Sequence, residues 1–262
     1  MRRASIGVMD RSSPDEWLAG VDGCRAGWVA VFVRPAGAQP GAQPNAEVRL
    51  RVVPRFAAVL AAPEAPTVVA VDIPIGLPAR AGYGGRAAEN AVRPLLGARQ
   101  SAVFSVPSRT AIAAEDYREA CRIALTTSDP PRKVSKQLHM IAPKIREVDH
   151  ALRADAAAAA RVFEVHPEVA FWRLNRERAL DEPKKVKGKP YAAGLDLRRR
   201  LLADAGVPAA LILEPPSGAG ADDVLDALAC AAIARRIRAG TARPFPDPPE
   251  RDEFGLAMAI WA

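Results

Sequence analysis

Apolar and polar positions along the chain switch between two periods, and the switches mark its elements. WLAGVD, Trp17 to Asp22, and WVAVFVR, Trp28 to Arg34, read as strands joined by the tight turn GCRAG, where Gly23 and Gly27 tolerate positive φ. PAGAQPGAQPNA, with its tandem GAQP, reads as a flexible hairpin loop. EVRLRVV alternates like a half-exposed edge strand, and RFAAVLAA is a short helix. TVVAVD is a fourth strand, apolar throughout, as expected when both faces are covered. From Gly84 to about Asp155 the pattern is helical, broken at SAVFSVPSRT, where Ser108 is placed to cap a helix, and at TTSDPP. ARVFEV is the fifth strand, and HPEVAFWRL a helix with Pro167 in its first turn. KKVKGKP reads as a basic loop and AGLDLRRRLLADAG as a helix stopped by Gly206. ADDVLDALACAAIARRIRAG is a long helix, acidic at its start and basic at its end. Pro-rich RPFPDPPERDEFG then leads to a short apolar end, LAMAIWA.

Three strands in hairpin succession, followed by alternating strands and helices, predict an α/β fold: a mixed five-stranded sheet with helices on both faces. No linker separates two self-sufficient cores. Residues 17–262 therefore read as one domain with a helical insertion around 84–155, behind a flexible tail of residues 1–16 that has no apolar segment of signal type.

Composition changes this picture little. The 262 residues are 49% hydrophobic and 26% charged, ordinary for a globular protein, and no apolar run nears the roughly 18 residues of a membrane span. Cys24, Cys121 and Cys230 are scattered and odd in number, which fits reduced thiols in a cytoplasmic protein better than a disulfide framework or a zinc site. A formal net charge of +7 suits a polyanionic partner, but seven lysines among 37 basic residues in an Ala-rich chain point as well to compositional bias.

The chemistry concentrates in acids at strand ends. Asp22 and Asp72 each close an apolar run before a Gly- or Pro-rich turn, where a buried carboxylate needs a partner or a ligand. Glu164 ends the fifth strand. Asp223 and Asp226 share a face of the long helix with Cys230, Ile233 and Ile237, so packing that face on the sheet turns both acids toward the strand ends. Each has a plainer reading: turn or loop caps for Asp22 and Asp72, helix-dipole acids for Asp222 and Asp223, an arginine pair for Glu164. If three or more acids meet, hard divalent cations offset their repulsion. In a basic protein that combination suits two-metal phosphodiester hydrolysis, one ion activating water and the other stabilising the leaving oxygen.

VDGCRAGWV, VDIPIGLP, SAVF with VPSR, PKIREVD, EVHPEVAFW, DDVLDALACA and GLAMAIW, in this order from about residue 20, resemble the domain of unknown function 429 family, described as predicted nucleases of RNase H fold. The resemblance implies an RNase H-like fold and metal-ligating acids at Asp22, Asp72, Asp226 and Asp223, with Mg²⁺ or Mn²⁺ as cofactor. DVLDALA is also similar to the acidic helix of Holliday-junction resolvases. Glu164 and His166 belong to the family's own EVHPE pattern and join the catalytic set, His166 as general base, metal ligand or a helix-start residue held by local hydrogen bonds.

Arg25, Arg109, Lys144 and Arg146 complete the set as substrate-binding residues. Arg109 stands beside a helix N-terminus, a natural anion site, while Lys144 and Arg146 could hold a phosphate or pair with Glu147 and Asp149. The KKVKGK run reads as a solvated loop or a nucleic-acid contact, and Trp28 and Trp172 as core. The expected partner is nucleic acid of undetermined type, with a homodimer if the substrate is a symmetric junction. Two other classes stay open: a nucleotide-dependent phosphotransferase or ATPase on the same fold, although the chain has no P-loop, and a non-catalytic nucleic-acid-binding domain.

Overall fold

The computed structural model describes residues 16–35, 47–207 and 215–262. The expected tail (1–16, but for Glu16) and the GAQP loop (35–46, but for Pro35) lie outside the described residues. Strands β1 (Leu18–Cys24), β2 (Gly27–Arg34), β3 (Glu47–Val53), β4 (Val68–Val71) and β5 (Val162–Glu164) form one sheet in the order β3-β2-β1-β4-β5. The first three pair antiparallel, and β1–β4 and β4–β5 pair parallel, so the sheet is mixed as expected.

Strand alternation divides the core into two. Leu18, Val29, Val31, Val68 and Ala70 face one side, with α7 (Pro167–Leu174) and α9 (Ala221–Arg238) packed on them. Ala19, Val21, Trp28, Phe32, Val69 and Val71 face the other. There they meet α1 (Phe56–Leu60), α3 (Arg109–Ala113), α4 (Tyr117–Thr126) and α5 (Lys136–Ala154). Ser108 caps α3 through its Oγ, which accepts from Ala111 N at 3.3 Å, and Trp28 and Trp172 are buried, all as the sequence predicts. Between β4 and α3 stand α2 (Ala87–Val92) and a 3₁₀ helix (Arg93–Ala102), and α6 (Ala156–Arg161) runs directly into β5. Among the described residues no helix is long and apolar enough to cross a membrane.

Two segments differ from expectation. The basic run forms a small antiparallel hairpin, β6 (Lys185–Val186) with β7 (Lys189–Pro190), turning through Lys187 and Gly188 at positive φ, ahead of α8 (Ala192–Asp204). The Pro-rich segment is a strand, β8 (Pro244–Arg251), paired antiparallel with β9 (Ala257–Trp261). Proline removes a ladder donor and is confined to sheet edges, and a two-stranded ribbon consists only of edges.

A very close backbone approach lies where α9 crosses β1. A Cβ added to Gly20 would meet Ala231 N at 2.1 Å and Ala227 O at 2.2 Å, both backbone atoms that cannot step aside. Gly20 on the strand and two alanines a turn apart on the helix let the backbones touch. Gly20→Ala should therefore cost about 3 kcal/mol, the upper end of the overpacking range, read as a lower urea midpoint. An unchanged midpoint would mean that α9 does not lie on β1.

Candidate metal centre

Register and alternation bring the first two acids together. Val21 pairs with Val71 in the parallel β1–β4 ladder, and Asp72 N donates to Val21 O at 2.9 Å, so Asp22 and Asp72 leave adjacent strands side by side. Alternation from Gly20 and Ala70 turns both toward the α9 face. The seating of α9 on Gly20 supplies the third. One carboxylate oxygen from each of Asp22, Asp72 and Asp226 lies within 4.8 Å of the others. Asp22 and Asp226 are buried, Asp226 to 1% exposure. Asp22 Oδ1 also accepts from Gly23 N at 2.6 Å, so the turn reading and the cluster reading hold together at this residue.

Burial dominates the electrostatics of the cluster. It pushes Asp22 well above the carboxylate range, helped by Asp72 and Asp226. Burial raises Asp72 to about 7 and Asp226 to about 6, against the lowering pull of Lys184. Lys184, from the run read as a solvated loop or a nucleic-acid contact, forms an ion pair with Asp226 Oδ2. Burial works against its ammonium, but Asp226, Asp22 and Asp72 outweigh that and hold Lys184 above the ordinary lysine value. The other Asp226 oxygen, Oδ1, is buried and accepts no hydrogen bond among the described residues.

A cavity of about 320 Å³ opens on Asp22 and Asp72, lined also by Lys144, Glu164, His166, Glu168 and Lys184. Glu168, the last residue of the EVHPE pattern, is a further acid that sequence reasoning did not single out. Its Oε1 takes an ion pair of 2.5 Å from the fully buried Arg198, and its Oε2 is buried without a partner among the described residues. It raises both Asp72 and Asp226. Arg198 could have been noticed, because Leu195, Arg198 and Leu202 share one face of α8 and all three are buried.

The remaining expected site residues sit elsewhere or are engaged. Glu164 follows the arginine reading: Arg86 Nη2 pairs with Oε1 at 2.6 Å, and Oε2 accepts from Arg86 Nη1 at 2.9 Å and Ile75 N at 2.7 Å. Arg86 also grips Glu89 at 2.6 Å and the Ile75 and Gly76 carbonyls, which makes a buried triad beneath the loop after β4. Burial raises Glu164 to about 7 despite Arg86. Asp223 Oδ2 accepts from Gly220 N at 2.8 Å and caps α9, while Asp222 pairs with Lys185 at 2.6 Å.

His166 caps α7, its Nδ1 accepting from Glu168 N at 3.2 Å and its Nε2 lying 3.3 Å from Ala102 O, and burial lowers its pKa. With Nδ1 as acceptor the proton belongs on Nε2, so neither nitrogen faces the cavity as a free base. Lys144 lies along Gly23, donates to Gly27 O and stacks on Trp28 at 4.6 Å. Arg146 donates to Ile112 O at 2.9 Å, and Arg25 is exposed in the β1–β2 turn. Arg109 pairs with Asp149 and with Asp252, whose Oδ2 also accepts from Leu77 N at 3.1 Å. Asp252 thus ties the β8–β9 turn to the loop that carries Asp72.

An α/β protein whose adjacent parallel strands end in carboxylates, completed by a third acid from a packed helix, has the donor set of an oxygen-ligated divalent metal site. Residues 20–251 match the family described as "Protein of unknown function (DUF429)", and the chain belongs to that family. No curated protein and no solved structure gives a match.

The triad beneath the loop yields a stability prediction. Arg86→Met leaves Glu164 and Glu89 buried without their cation and should cost about 3–5 kcal/mol, measured by urea denaturation. A loss below about 1 kcal/mol would show that the triad does not hold the loop.

Proposed function

We propose that this protein is a divalent-metal-dependent nuclease of RNase H-like fold, hydrolysing phosphodiester bonds at the Asp22–Asp72–Asp226 cluster. One observation carries the reading: three carboxylates converge within 4.8 Å, and the third offers a buried oxygen that no donor satisfies. An orphaned buried carboxylate oxygen is costly unless a cation takes it, so the donor set fits a hard metal. The strand order β3-β2-β1-β4-β5, with β2 alone antiparallel to both neighbours, supports the RNase H-like assignment that the sequence resemblance implies.

Asp22, Asp72 and Asp226 would hold Mg²⁺ or Mn²⁺. Such an ion supplies an activated water at neutral pH and neutralises charge on the phosphate. The chain's own residues do the rest. Gly23 N–H fixes the Asp22 carboxylate, and α9 seated on Gly20 fixes Asp226. Neutral His166 pins the start of α7 and with it Glu168 on the cavity wall. Exposed Arg25, Lys187 and Lys189 offer cationic contacts for a nucleic-acid backbone outside the cavity.

Calorimetry with Mn²⁺ and Mg²⁺ tests the metal, and a panel of single-stranded, duplex, hybrid and branched oligonucleotides tests the reaction. Asp72→Asn and Asp226→Asn, each folded, should lose metal binding at least tenfold and cleavage at least a hundredfold. Metal binding without cleavage of any oligonucleotide would sink the nuclease reading in favour of a binding domain.

Metal binding should also depend on pH. Ligands must be deprotonated to bind. With Asp226 and Asp72 at about 6 and 7, affinity should rise from pH 5.5 to 8, with protons released on binding. Calorimetry in buffers of different ionisation enthalpy reads those protons, and a flat profile over that range would contradict the electrostatics described above.

A further inference from the structure

Resting on the metal-centre reading, we propose that Lys184 is the second cation of this site: the cluster takes one divalent ion, and the lysine ammonium fills the place of another. The two oxygens of Asp226 divide the work. Oδ2 is paired with Lys184, and Oδ1 is buried and unpartnered, so lysine and metal can share this carboxylate without competing for one atom.

The charges agree. Four carboxylates face the cluster, Asp22, Asp72, Asp226 and Glu168, and two cations, Lys184 and Arg198, pair with them. Two negative charges remain, which is what one divalent ion balances. The neighbouring acids are spoken for: Asp223 caps α9, Asp222 pairs with Lys185, and Glu164 and Glu89 share Arg86. A second divalent ion beside a fixed ammonium would meet like-charge repulsion in a poorly solvated site.

The lysine is built in. Its carbonyl accepts from Tyr191 N at 3.0 Å, and Arg198 Nη1 donates to Glu182 O at 3.1 Å. Pro183 O passes so close to α8 that a Cβ on Gly194 would lie 1.8 Å from it. The segment before the exposed hairpin is thus pinned on both sides of Lys184, and Arg198 braces Glu168 and this segment at once. An ammonium held there neutralises a phosphate oxygen as an ion would, and a chelator cannot remove it.

The test counts bound Mn²⁺ by calorimetry on the full chain, on Lys184→Met and on Lys184→Arg, each checked for folding by thermal melt, with Lys184→Gln replacing the Met variant if that fails to fold. One equivalent is expected in the wild type and Lys184→Arg, and two in the neutral variant. Two equivalents in the wild type or in Lys184→Arg overturn the proposal, as does a neutral variant that still takes only one. Binding by the neutral variant alone also overturns it, because the lysine would then be blocking the site. No binding by any of the proteins rejects the metal centre itself, a separate failure that takes this inference with it.

Discussion

The contact between α9 and the β1 backbone at Gly20 sets the geometry of everything around it. Ordinary helix-on-sheet packing keeps side chains between the two layers, but here Ala227 and Ala231 let the helix backbone reach the strand. The Ala-rich sequence of α9 is the consequence. Its residues are buried nearly all round, so it shows no amphipathic stripe, and alanines stand where it meets Gly20. Asp226 is carried to the strand ends by that spacing, one residue before the alanine that touches Gly20.

Placing acids there costs solvation, and the structure offsets the cost in layers. Asp22, Asp72 and Asp226 share Lys184, Glu168 has Arg198, and Glu164 with Glu89 has Arg86. The layers differ in how completely their oxygens are satisfied. Glu164 has both oxygens filled by strong donors and holds the Ile75–Gly76 loop in place. Asp226 and Glu168 each keep one buried oxygen open. That difference separates Asp226 and Glu168, beside the cluster, from the fully engaged Glu164.

Much of this was legible in the sequence because its signals are local. Strand period, Gly- and Pro-rich stops and the 223/226/230 spacing depend on near neighbours, and they placed the five strands, Asp22, Asp72 and Asp226. What escaped depends on distant packing. Lys184 stands in a run whose other lysines are exposed, and the pinning of its segment over Gly194, by Tyr191 N and by Arg198 turns it inward. Arg198 sits among three consecutive arginines of which it alone is buried. Pro244, Pro246, Pro248 and Pro249 argue against a strand in any sheet with a centre, and the sequence does not reveal that this sheet has none. Glu164 carried the same strand-end signal as Asp22 and Asp72, and only the arrival of Arg86 from elsewhere in the chain tells them apart.

The clamp made by Asp252 bears on how the protein comes into being. Asp22 and Asp72 leave the ribosome early, but the acid that joins them is at position 226, and the residue that ties down the Asp72 loop is at 252. A growing chain therefore holds two strand-end carboxylates with neither their third member nor their brace. The site closes only after nearly every residue described here has been translated. Whatever the cluster binds, a nascent chain holds it incomplete by topology alone.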